Sequence, residues 1–238
     1  MDLGTIGDAT AAPASAPPAD RRLLAAGCVI LALGALTVAA LDVVGAGGPG
    51  AILHMTISQV GLTPLAPIFE TAVLAVALGG AAVLATAVRL RSGNRAQAIA
   101  GAVLGTVAVT GFVLVAAFTK QDWSRPPELS GTIHRLGSLA AFLALPAAVI
   151  VLARRAQAAR RVAAAAIVAA LAGLASFLPI VVAIASVGWR GGWWRQVPLG
   201  LVERAIALGD IVALALLAAL CLRELRPAAR TVRAHDRV

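Results

Sequence analysis

Six long apolar runs, separated by short polar segments, set the pattern of this chain. They fall at about Leu23–Val44, Leu65–Val88, Ala98–Thr119, Ile133–Ala153, Val162–Val187 and Leu199–Leu222. Each reaches the ~20 residues that a helix needs to cross about 30 Å of hydrocarbon. The runs are continuous and rich in Ala, Leu and Val, without the alternation of barrel strands, so helices are expected. The predicted fold class is all-α, an integral membrane bundle of six transmembrane helices. Residues 1–20 are Ala/Pro/Ser-rich without apolar periodicity and read as a disordered tail. Residues 21–222 carry the six spans, and 223–238 form a basic tail. Arg21-Arg22 ahead of the first run reads as the flank of an uncleaved span, because five more spans follow. No internal repeat supports an inverted-repeat transporter. Lipid offers little drive for helix association, so small residues such as Gly101 and Gly105 are expected where helices touch.

Composition agrees with the pattern. The chain is 60% hydrophobic with a mean hydropathy of +0.91, beyond the range of soluble domains. A net charge of +9 raises the question of nucleic acid. The basic residues lie between apolar runs, however, and read as topology signals and contacts to anionic lipid, with no nucleic acid partner. Fourteen arginines flank one set of run ends and six basic residues the other. The positive-inside rule therefore places both termini in the cytoplasm and the first, third and fifth loops outside. Heavy Ala and Arg usage suggests a G+C-rich bacterial genome, hence a bacterial inner (plasma) membrane. All four tryptophans, Trp123, Trp189, Trp193 and Trp194, fall on the outward side, where interfacial anchoring explains them. Cys28 and Cys221 lie inside apolar runs and support neither a disulfide framework nor a zinc site.

Candidate chemistry gathers on the outward segments. The third loop and its flanks, Phe118–Ser138, bring Lys120, Asp122, Arg125, Glu128, His134 and Arg135 into an otherwise apolar chain. The first loop supplies His54 and Ser58 at i, i+4, and Glu70 follows in the second span. The fifth supplies Arg190, Arg195, Glu203 and Arg204, with Asp210 further along the sixth span. His134 and Ser138 share a helix face. Glu203 and Asp210 share another, about 10 Å apart. Isolated ionised groups in hydrocarbon are costly, so these should face the interior and pair, with Arg135 and Arg204 as partners for carboxylates such as Asp42.

Several chemistries fit the residue types. His54, Ser58, Asp122 and His134 are the candidate catalytic groups. Ser58 would be a nucleophile with a histidine base and a carboxylate behind it. No HxxxH or HExxH spacing supports a metal, and no pattern identifies a cofactor or a protein partner. Arg135, Glu203, Arg204, Glu70 and Asp210 are the candidate binding groups. Converging guanidiniums would hold an anionic headgroup with the least demand on geometry. Recognition or modification of a lipid or envelope precursor leads. The alternatives are a structural protein whose acid–arginine pairs only tie loops together, and a proton-coupled transporter using Glu70 and Asp210.

The order of motifs carries a resemblance. His54, Ser58 and Gly61, then Phe118 and Asp122, then Gly131, Ile133 and His134, then Gly200, Leu201, Glu203 and Arg204 resemble the bacterial membrane family called domain of unknown function 998. The likeness covers nearly the whole chain after residue 20, and implies a six-span membrane protein without an established activity. Gln59 stands where that family usually has an acid, and Phe118–Asp122 is one residue longer than its counterpart and lacks the proline. A more distant similarity to Frag1/DRAM-type membrane proteins transfers no activity.

Overall fold

The computed structural model describes residues 18–45, 49–122, 125–154, 159–188 and 192–226. Among them all regular structure is helical. The elements are α1 (Pro18–Gly45), α2 (Pro49–His54), a 3-10 turn (Ile57–Leu62), α3 (Ala66–Leu90), α4 (Arg95–Ala117), α5 (Leu129–Ala153), α6 (Arg160–Ala175), α7 (Leu178–Val187), a 3-10 turn (Trp193–Arg195) and α8 (Leu199–Glu224). Six helical stretches are long and apolar enough to cross a membrane, with α6 and α7 together forming the fifth. Much of the basic tail, Trp123, Trp189 and Arg190 lie outside the described residues.

The fifth span departs from the single continuous helix expected. Pro179 has no N–H to offer the carbonyl four residues back, which is that of Ala175, and its ring crowds the same carbonyl. The helix stops there: Ser176 N–H donates to Ala172 O at 3.1 Å and Ser176 Oγ to the same oxygen at 2.9 Å. α7 then restarts from Leu178 and has the turn Trp193–Arg195 as its main neighbour. Of its residues only Ala183 is buried.

α8 is the central post, packed against α6, α5, α3, α2 and α1. Its buried positions Val202, Ile206, Asp210, Ala213, Leu214, Leu217 and Cys221 recur at helical spacing. α5 answers with His134, Gly137, Ala141, Ala144, Leu145, Ala148 and Leu152. Hence His134 and Asp210 lie on the same inward stripes as the core.

Small residues let backbones approach, as membrane packing requires. A Cβ on Gly79 of α3 would come within 2.4 Å of Leu31 N on α1, and one on Gly111 of α4 within 2.5 Å of Ala141 N on α5. Gly101 makes room for the side chain of Leu152 on α5 and Gly105 lies against Leu84 on α3, so the GxxxG pair serves packing inside the chain. The opposite faces of α1 and α4 expose Val29, Leu33, Leu36, Val43, Ile99 and Val103, the surface that lipid tails would cover.

Both ends of the bundle are tied by arginine. At the end where α1 starts and α8 finishes (the proximal end), Arg91 holds Glu224 with two bonds of 2.7 and 3.0 Å and donates from Nε to Leu152 O at 2.9 Å. One guanidinium thus joins the ends of α3, α5 and α8. Arg89 pairs with Asp20 at 2.7 Å. Between this end and the bundle middle, Leu24, Val83, Leu145, Val149, Leu152, Leu214, Leu217 and Leu220 make a closed apolar core.

Candidate functional site

At the other (distal) end, the first and third connections meet beside α8, where Lys120 reaches Ser58 and α2 packs on α8. Arg204, one turn into α8, donates from Nε to Asp42 Oδ2 at 2.8 Å and from Nη2 to Oδ1 at 2.6 Å. Its Nη1 donates to Ile52 O at 2.7 Å and Met55 O at 2.8 Å, which are carbonyls left open as α2 ends. The planar guanidinium suits this two-sided grip. The expected pairing of Arg204 is therefore met by Asp42. Arg135 has no ion pair among the described residues; it is exposed at a cavity rim.

Local sequence sets the polar loops. The N–H of Thr56 donates to Gln59 Oε1 at 3.0 Å, closing the 3-10 turn that presents Ser58. Gln59 thereby fills, with an amide oxygen, a capping role that an acid also fills. In the third connection Gln121 is the organiser. Its Nε2 donates to Asp122 O at 2.7 Å, and its Oε1 accepts from Glu128 N–H at 2.9 Å. Ser130 Oγ reaches Thr119 O at 3.1 Å, fixing the start of α5.

Two adjoining cavities result. The distal one, about 340 Å³, has a polar end at Thr56, Ser58, Lys120, Gln121, His134, Arg135 and Glu203. Its other wall is apolar, with Leu139, Phe142, Phe177, Ile180, Leu199, Val202 and Ile206. The break before α7 puts Phe177 and Ile180 there. The inner cavity, about 300 Å³, runs toward mid-bundle between Ala35, Val38, Phe69, Val73, Val76, Phe112 and Asp210. Ser58, Ser138, Phe142 and Glu203 line both. Neither cavity passes Ile211 on α8. Beyond it lies the apolar core, and among the described residues neither of these cavities carries a polar path on toward the proximal end.

Lys120, the one lysine in the chain, is the half-buried cation of the distal cavity, with Arg135 exposed at the rim. Its Nζ donates to Ser58 Oγ at 2.9 Å and also contacts Thr56 Oγ1. Burial pushes its ammonium below the ordinary lysine range, and the nearby Glu203 carboxylate works against that shift. His134 Nδ1 lies 2.8 Å from Phe118 O, which fixes the Nδ1–H tautomer in the neutral ring and leaves Nε2 as an acceptor. His134 Nε2 and Glu203 Oε2 are buried without hydrogen-bond partners among the described residues, as are both oxygens of Asp210.

The structure brings Ser58, His134, Glu203, Arg204 and Asp210 to the cavities, with Arg135 at the rim. It does not bring His54, Asp122 or Glu70. His54 ends α2 and is exposed, while Ser58 belongs to a separate 3-10 turn, so the i, i+4 pairing does not form. Asp122 lies 3.5 Å from Arg125 at the loop surface, outside both cavities. Glu70 is half-buried on α3 and lines neither. Among the described residues the guanidiniums do not converge: Arg204 is committed to Asp42, and Arg125 and Arg195 line neither cavity. Thr56 is a site residue that the sequence reading does not name, and Lys120 one that it names with the third loop but gives no role, although its uniqueness in the chain is a signal. Chemically, a lysine against a serine hydroxyl is the pairing of an amine-assisted nucleophile, and the orphaned acceptors call for a ligand with hydroxyl or ammonium donors. Among the described residues no group of three or more His, Cys, Asp or Glu could hold a metal ion.

Fold and site together define a six-span helical membrane protein with a polar-ended cavity at its distal end. The chain belongs to the family described as Protein of unknown function (DUF998), whose model matches residues 25–222. No match was found among the curated proteins or the solved structures.

Proposed function

We propose that this protein binds an amphiphilic envelope molecule, a lipid or lipid-linked precursor, with its headgroup in the distal cavity. The observation that carries the reading is the orphaned pair His134 Nε2 and Glu203 Oε2 beside Lys120, facing an apolar wall across the same cavity. Lys120 and Arg135 would meet an anionic or ester oxygen of the headgroup. His134 and Glu203 would accept from its hydroxyl or ammonium groups. The slot of Leu139, Phe142, Phe177 and Ile180 between α5 and α7 would take the first part of its tail. The distribution of arginine supports a plasma-membrane orientation with both termini in the cytoplasm. An alkaline phosphatase fusion at Lys120 should then be active and one after Arg226 inactive; the reverse would refute the orientation.

Native mass spectrometry of the detergent-purified chain tests the binding. The wild type is expected to retain a lipid-sized adduct, and Lys120→Met to lose most of it, roughly a tenfold drop in occupancy for one charge-assisted contact. Equal retention by the variant, or no adduct on the folded wild type, contradicts the proposal.

A further inference from the structure

The inner cavity has a feature that headgroup binding does not use. Asp210, 1% exposed, sits at mid-bundle with neither carboxylate oxygen hydrogen-bonded among the described residues. A carboxylate in that position is costly unless something pairs with it. Of the other charged groups lining the cavity, Asp42 and Arg204 grip each other at its distal end, and Glu203, though not hydrogen-bonded at Oε2, lies near the Lys120 ammonium. Asp210 is the acid of this cavity with no charged neighbour among the described residues.

The walls decide what kind of counterpart fits. Apart from Ser58, Ser138 and the charged groups, the lining is Ala, Val, Ile, Leu and Phe. A small inorganic cation would lose its water shell there and find too few oxygens to replace it. An organic cation loses less, because its charge is spread and its body is apolar. Phe69, Phe112 and Phe142, three of the chain's five phenylalanines, line the cavity and offer ring faces to such a cation. Phe112 and Phe142 stand edge to face with centroids 6.0 Å apart. The volume of about 300 Å³ is at the small end of ligand pockets.

We propose that the inner cavity binds a small lipophilic organic cation, a protonated or quaternary amine with an apolar body, whose positive centre pairs with Asp210. Entry is from the distal cavity, past Ser58, Ser138, Phe142 and Glu203, which line both chambers. The site is separate from the headgroup cluster at Lys120, and its failure would leave the lipid reading standing.

Benzyltrimethylammonium is the probe, titrated into the purified full chain and followed by calorimetry. One cation per chain is expected on the wild type, with binding weakened at least about tenfold in Asp210→Asn. Glu128→Gln, which removes an exposed acid, should bind like wild type. Neopentylbenzene, the uncharged compound of the same shape, should bind the wild type at least about tenfold more weakly than the cation. If Asp210→Asn does not fold, Ala207→Phe decides: it fills the inner cavity while keeping the carboxylate, and should abolish binding. Undiminished binding by whichever folded variant is tested, equal binding of the neutral compound, or no binding to the folded wild type overturns the proposal.

Discussion

Arg204→Ala is expected to destabilise the bundle by about 3 kcal/mol, the lower end for breaking a buried ion pair. The side chains of Arg204 and Asp42 are only 17% and 18% exposed, so solvent screens the loss weakly. Removing the guanidinium leaves the Asp42 carboxylate without its two bonds and opens the carbonyls of Ile52 and Met55 together. Folded yield and melting temperature in detergent both read this. Adding Asp42→Asn should recover part of the loss, because no uncompensated carboxylate then remains. His134→Ala should cost less, about 1–2 kcal/mol, since it gives up one neutral hydrogen bond, from Nδ1 to Phe118 O, and strands no buried charge. A melting temperature unchanged by Arg204→Ala would remove the arginine from the architecture.

Gly79→Leu is expected to cost a similar amount, about 3 kcal/mol, the upper end for overpacking. The atoms that a Cβ at Gly79 would strike are backbone: Leu31 N at 2.4 Å and Gly27 O at 2.7 Å. A flexible neighbour could turn aside, but here α1 must move away from α3 along its whole contact. Leu78→Ala, one residue earlier at a 64% exposed position facing outward, is the matched control and should be nearly neutral. Thermal melting of the two variants side by side checks the contrast. Equal melting would mean that α1 and α3 do not cross where the structure puts them.

The fold was legible in the sequence because lipid simplifies the rule: a helix must be long and apolar, and little else competes. The predicted spans match the observed helices closely. The exception is the fifth, where a proline inside an apolar run was read through although Pro179 splits the helix. That break mattered, since it shapes the cavity wall at Phe177 and Ile180. The site was legible in part. His134, Glu203 and Asp210 were marked by being polar on apolar faces, and Asp42 and Arg204 by charge. His54 and Ser58 were joined by counting four residues along a helix that ends between them. Arginines are expected to converge because they are many, yet Arg204 is taken by Asp42 and Arg125 by Asp122, pairings that a charge count does not contain. Lys120 donates to a hydroxyl from another connection, 62 residues away, and no spacing rule predicts that.

A chemical cross-link across the distal connections tests the central claim most directly, because the binding readings require those loops to share one cavity. In a background with Cys28 and Cys221 replaced by serine, Thr56→Cys and Lys120→Cys are introduced together and the purified chain is treated with a short bifunctional thiol reagent. Rapid, near-complete bridging within one chain is predicted, with neither single variant forming it. Two thiols that remain separately reactive in the folded protein would place the first and third connections apart and contradict the shared site.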